Sequence, residues 1–175
     1  MTYHTVTNLD AIAAQDVNAY SSNFISASSL DNGNLVVLLT VSASECFAAT
    51  APSSASTTGV HMVDTPVLPF LVNGAGEKVN GLGTARDFYT IAGEVGVARR
   101  LQLGDIVTVS AETLDSSTTA AYAIPDEAGN YKLKWSAVTV SGFYLQYLKT
   151  TYISIPDGSI GSGRVAAFQF RVAHI

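Results

Sequence analysis

Glycine, proline, asparagine and aspartate punctuate this chain so often that no long helix fits between them, and short β-prone runs fill the intervals. The clearest run is Ile106-Val107-Thr108-Val109-Ser110, almost all β-branched. Such side chains suit a pleated surface and lose rotamer freedom in a helix. Just before it, Leu101 and Leu103 alternate with Arg100 and Gln102 until Gly104-Asp105 breaks the pattern. Gly104 supplies the backbone freedom a tight turn needs, and Asp105 can bond nearby amides.

The same grammar recurs along the chain. Asp31-Asn32-Gly33-Asn34 is a turn that opens Leu35 to Val41, a run apolar on both faces and expected to be buried on both. Ser42 to Thr58, rich in Ala, Ser and Thr, reads as a surface loop. Val60 to Val63 is a short strand stopped by Asp64-Thr65-Pro66. Turns follow at Asn73 to Glu77 and Asn80 to Gly83, then a short helix or irregular crossing between Thr84 and Val97. Ala120 to Ile124 is a short strand, and Tyr131 to Trp135 alternates as a half-buried antiparallel one. Phe143 to Ile155 is a long β-prone run interrupted near Lys149-Thr150, which predicts a bulge or a bend. Pro156-Asp157-Gly158 and Gly161-Ser162-Gly163 are turns. In Arg164 to Val172, Val165, Ala167, Gln169 and Arg171 share one face, and Ala166, Phe168, Phe170 and Val172 share the other. Residues 1 to 30 differ: they are small and polar, with isolated apolar side chains at Tyr3, Val6, Leu9, Ile12, Val17, Tyr20, Phe24 and Ile25. The reading is therefore all-β: a small β-barrel or sandwich over residues 31–175, preceded over residues 1–30 by an extended N-terminal arm, with an ordinary first strand and loop as the equal alternative for that segment.

Chemistry is harder to find. His4, His61 and His174 lie far apart and lack ligand spacing, so no metal is expected. Gly74-Ala75-Gly76-Glu77-Lys78 lacks the frame of a phosphate loop, and Ser159 and Ser162 lack the Gly-x-Ser-x-Gly frame of a hydrolase. Cys46 is the only cysteine and reads as a small buried hydrophobe. Neither catalytic residues nor a cofactor are expected. Only 13% of the residues are charged, so much of the polar surface comes from Ser, Thr, Asn and Gly, and such neutral surfaces can lie against other protein. The formal net charge of −5 argues against a sequence-independent nucleic-acid binder. No apolar run approaches the roughly 18 residues a membrane span needs, and Met1-Thr2-Tyr3-His4 opens nothing like a signal peptide. Arg86-Asp87 and Arg99-Arg100 are candidates for salt bridges at a subunit contact. Tyr144, Tyr147 and Tyr152 cluster in one strand region, and tyrosine suits both interfaces and small cores.

Several stretches, in order, resemble the capsid decoration or cement-type proteins encoded in the head-gene region of tailed bacteriophages. Asp31-Asn32-Gly33-Asn34-Leu35-Val36-Val37-Leu38 looks like their early strand, and Phe47-Ala48-Ala49-Thr50-Ala51-Pro52 like the segment after it. Val60-His61-Met62-Val63-Asp64-Thr65-Pro66 is similar to a third piece. Phe88-Tyr89-Thr90-Ile91-Ala92-Gly93, followed by Ala98 to Ser110, resembles a fourth, with Arg100 where that pattern tends to have Gly. The resemblance covers residues 30–135. It implies a structural virion protein, not an enzyme, assembled in the host cytoplasm and sitting on the capsid exterior. Its partners would be the major capsid protein and further copies of itself, a trimer being one form, with no nucleic acid and no membrane involved. A head fibre, tail or connector accessory protein is the alternative. The arm is expected to order on the shell, and the expected capsid contacts are Tyr3, Val6, Leu9, Ile12, Tyr20, Phe24, Arg99 and Arg100.

Overall fold

The computed structural model describes residues 4–12, 20–41, 45–67, 70–72, 78–80, 84–116, 119–127, 129–155 and 163–175. Tyr3, Val17 and the expected turns at 73–77, 81–83, 156–158 and 161–162 lie outside them. The fold is all-β. Its strands are β1 (Thr7–Ala11), β2 (Ser21–Ser26), β3 (Leu35–Val41), β4 (Phe47–Thr50), β5 (Val60–Val63), β6 (Phe70–Val72), β7 (Lys78–Asn80), β8 (Val95–Arg99), β9 (Ile106–Ser110), β10 (Tyr122–Pro125), β11 (Leu133–Ser136), β12 (Tyr144–Ile155) and β13 (Gly163–His174). A 3-10 turn at Ala111–Thr113 follows β9.

The strands form two main bodies. β2-β4-β3-β5-β8 closes into a barrel, and β1-β9-β13-β12-β10-β11 forms a six-stranded sheet in that order, while β6 and β7 make a separate hairpin. Inside the barrel, Phe24, Leu30, Val36, Val63 and Ala98 pack together. Phe24 stands opposite Gly96 across the β2–β8 pair. A Cβ on Gly96 would fall 2.5 Å from the Phe24 ring, so the glycine makes room for the aromatic plug. The larger core lies between barrel and sheet. Leu35, Val60 and Met62 point out of the barrel into a cluster with Val107, Val109, Leu133, Leu145, Phe168 and Phe170 of the sheet.

Alternation on β3 and β5 explains this shared core: successive side chains of a strand point to opposite faces. Leu35 therefore serves the sheet and Val36 the barrel interior, and both are fully buried. The expectation that Leu35 to Val41 is buried on both faces holds only for its first half. Beyond Leu38 the strand runs past the sheet, and Leu39, Thr40 and Val41 are exposed.

The described part of residues 1–30 includes two strands, and one further reading needs correction. β1 is the sheet's edge strand, antiparallel to β9, and β2 is a barrel stave between β4 and β8. The stretch Ser42 to Thr58 also holds a strand, β4, parallel to β2 and antiparallel to β3. These segments are poor in β-branched residues, and each is held as a strand by pairing with neighbouring strands. β3, β5 and β9 to β13 fall close to where strands were expected, whereas β6, β7 and β8 were not expected, and β8 begins inside the stretch read as a short helix or irregular crossing. β12 carries its irregularity between Tyr147 and Lys149, as the interrupted pattern implies.

The turn Asp31-Asn32-Gly33-Asn34 ties the two bodies together. Asn32 donates from Nδ2 to the Thr65 carbonyl, 2.8 Å, and accepts from the Thr65 amide, 2.9 Å. Asp31 accepts from His4 Nδ1 at 2.6 Å, and His4 stacks on Tyr89 at 4.5 Å. Gly33 has φ of +90°, and a Cβ there would meet the Thr7 methyl at 2.6 Å.

Candidate interaction surfaces

Four of the expected contact residues pack into the interior of this chain. Val6, Leu9, Ile12 and Phe24 are buried in this chain's own cores, Phe24 completely. Isolated apolar residues in a polar segment look like anchors for something external; here the chain's own sheet and barrel receive them. Tyr20 packs half-buried against the main core, and Tyr3 lies outside the described residues.

Arg99 and Arg100 go separate ways, as neighbours on extended backbone must. Arg99 donates from Nε to Asp64 Oδ2 and from Nη1 to Ser21 Oγ at 3.3 Å. This ion pair forms one wall of a cleft of about 430 Å³, lined also by Thr7, Asn8, Leu9, Ile12 and Ile153. The cleft thus gathers Arg99 with the edges of Leu9 and Ile12. Arg100 is exposed and lines a second cleft of about 270 Å³ with Thr58, Gly59, Val60, Leu101 and Ile175. Beside it, burial pushes the His61 pKa below the usual imidazole value. A hydrogen bond from Nδ1 to the Gly59 carbonyl, 2.9 Å, opposes that shift, and the Arg100 charge adds to it. Arg86 pairs within the chain, to Glu112 at 2.6 Å, and Asp87 accepts from the Thr84 amide at 2.7 Å. Among the described residues, no group of three or more His, Cys, Asp or Glu side chains could hold a metal ion.

The sequence reading missed two larger surfaces. The first is on the barrel. Side chains that alternate away from Phe24, Gly96 and Ala49 point outward, so Ile25, Val95 and Ala48 stand side by side across three staves: Ile25 pairs with Val95 on one side and with Ala48 on the other. Leu39 continues the row on β3, next to the Leu38–Ala49 pair. Leu39 is 53% exposed and Val95 54% exposed. In the four strands β2, β3, β4 and β8, Arg99 is the one charged side chain. Two exposed carboxylates stand at the rim: Glu94 just before Val95, and Glu45 ahead of β4.

The second surface is the sheet face turned away from the barrel. One cross-strand row reads Ser136, Tyr122, Gln146, Arg171 and Ile106, and a second reads Lys149, Gln169 and Thr108. Tyr122 meets Tyr144 edge-on at 5.6 Å, and Tyr144 stacks on His174 at 5.7 Å. Arg171 Nη2 donates to Gln146 Oε1 at 2.5 Å. Lys149 and Arg171 are exposed, and neither row contains a carboxylate.

Comparison with known proteins gives no match to this chain among family models, curated proteins or solved structures.

Proposed function

We propose that this chain is a structural virion protein of the capsid decoration type, which adds to the outside of an icosahedral phage shell and performs no reaction. The observation that carries the reading is the barrel wall. Contiguous apolar surface rimmed by polar groups marks a place where protein meets protein. Ile25, Ala48, Leu39 and Val95 make such a surface, on staves almost without charge. The stretches that resemble head decoration proteins include the whole of β4, β5 and β9 and parts of β3 and β8. Mechanically, the protein would add buried interface across seams that the pressure of packaged DNA pulls apart. About 800 Å² per partner is a standard contact, and it is multiplied over every copy on the shell.

The test is direct. Purified protein is mixed with undecorated shells, pelleted, and the shells are heated. Co-sedimentation and a raised rupture temperature are expected. Absence of binding at micromolar protein overturns the proposal.

A further inference from the structure

The two surfaces described above complement each other. The barrel wall is apolar with carboxylates, Glu45 and Glu94, at its rim. The outer sheet face offers Tyr122 and Tyr144 together with the cations Lys149 and Arg171. Tyrosine rings suit an apolar wall because their bodies bury and their hydroxyls stay wet. The surfaces cannot meet within one chain, since the barrel already sits on the sheet's other face through Leu35, Val60 and Met62.

Self-pairing of like surfaces is electrostatically worse. Wall against wall brings the Glu45 and Glu94 carboxylates of two copies into one interface, and sheet against sheet does the same for Lys149 and Arg171. Like charges brought together in a contact cost free energy and select against it. We therefore propose that the barrel wall of one copy docks on the outer sheet face of a second copy, head to tail. Such a contact leaves one wall and one face open on each pair. It therefore adds copies until the rotation closes a ring. The inference rests on the wall being covered by protein and does not require that the shell be the covering partner.

The experiment is sedimentation velocity of the whole chain across concentration, at low and high salt. Association that grows with concentration and weakens with salt is expected. Two charge-reversed proteins carry the test: Glu45→Lys/Glu94→Lys and Lys149→Glu/Arg171→Glu. All four positions are exposed, and near-UV circular dichroism checks each protein's fold. Each alone is expected to stay monomeric; mixed in equal amounts they are expected to associate, because each supplies the charge the other needs. Leu39→Ser/Val95→Ser, which keeps the charges, is expected to weaken association by about tenfold or more. A wild-type chain that stays monomeric at low salt overturns the inference, as does a folded mixture that fails to associate. Shell binding measured in parallel separates the two proposals: a monomer that still decorates shells removes only the head-to-tail contact.

Discussion

At the scale of single residues, two glycines show how context decides a substitution's cost. Gly33 and Gly104 both have positive φ, +90° and +94°. Alanine in either place pays a conformational penalty of about 1–2 kcal/mol. Around Gly104 a new Cβ meets nothing within 4 Å, whereas at Gly33 it strikes the Thr7 methyl. Gly104→Ala is thus expected to lose only the conformational term. Gly33→Ala is expected to lose about 3 kcal/mol or more, from strain and clash together; urea unfolding of the two variants measures the difference. His61 gives a pH signature. Its folded pKa lies below the unfolded value because its ring is buried, so the unfolded chain takes up the proton first as pH falls. Stability is therefore full above the ordinary imidazole pKa and declines as pH drops below it toward the folded value. His61→Gln is expected to flatten that part of the stability–pH curve, and the same urea titrations run between pH 7 and 5 read it.

At the scale of elements, legibility followed chemistry that is local. β9, β5 and the bulged β12 announce themselves through β-branched runs, turn residues and a break in alternation. β2 and β4, Ser-Ser-Asn-Phe-Ile-Ser and Phe-Ala-Ala-Thr, carry little β-propensity of their own; closure of the barrel makes them strands. β13 shows a subtler limit. Its two faces were assigned correctly by alternation, yet the core changes face along its length. Phe168, Phe170 and Val172 are buried on one side, while Val165 and Ala167 are buried on the other. Val165 is covered by Val6 and Ile155, a cover that local pattern does not encode. The candidate surfaces were less legible still. Ile25, Ala48, Leu39 and Val95 come from four separate stretches, and only the register between strands makes them one row.

At the scale of the whole molecule, barrel and sheet share one core. Met62 belongs to a barrel strand but sits, fully buried, among the sheet's side chains. Met62→Ala is expected to cost about 2–5 kcal/mol. It is also expected to lower one common transition, with far-UV and near-UV signals melting together. Separate transitions for the two bodies would contradict this picture of their packing.

The closed ring of staves has a last consequence. Every one of its strands already has a neighbour on both sides, so its backbone offers no rung for a stray chain to climb onto. Molecules crowded shoulder to shoulder can then touch through this body by side chains alone. Contacts of that kind form and release without unfolding anything, and they do not template fibres.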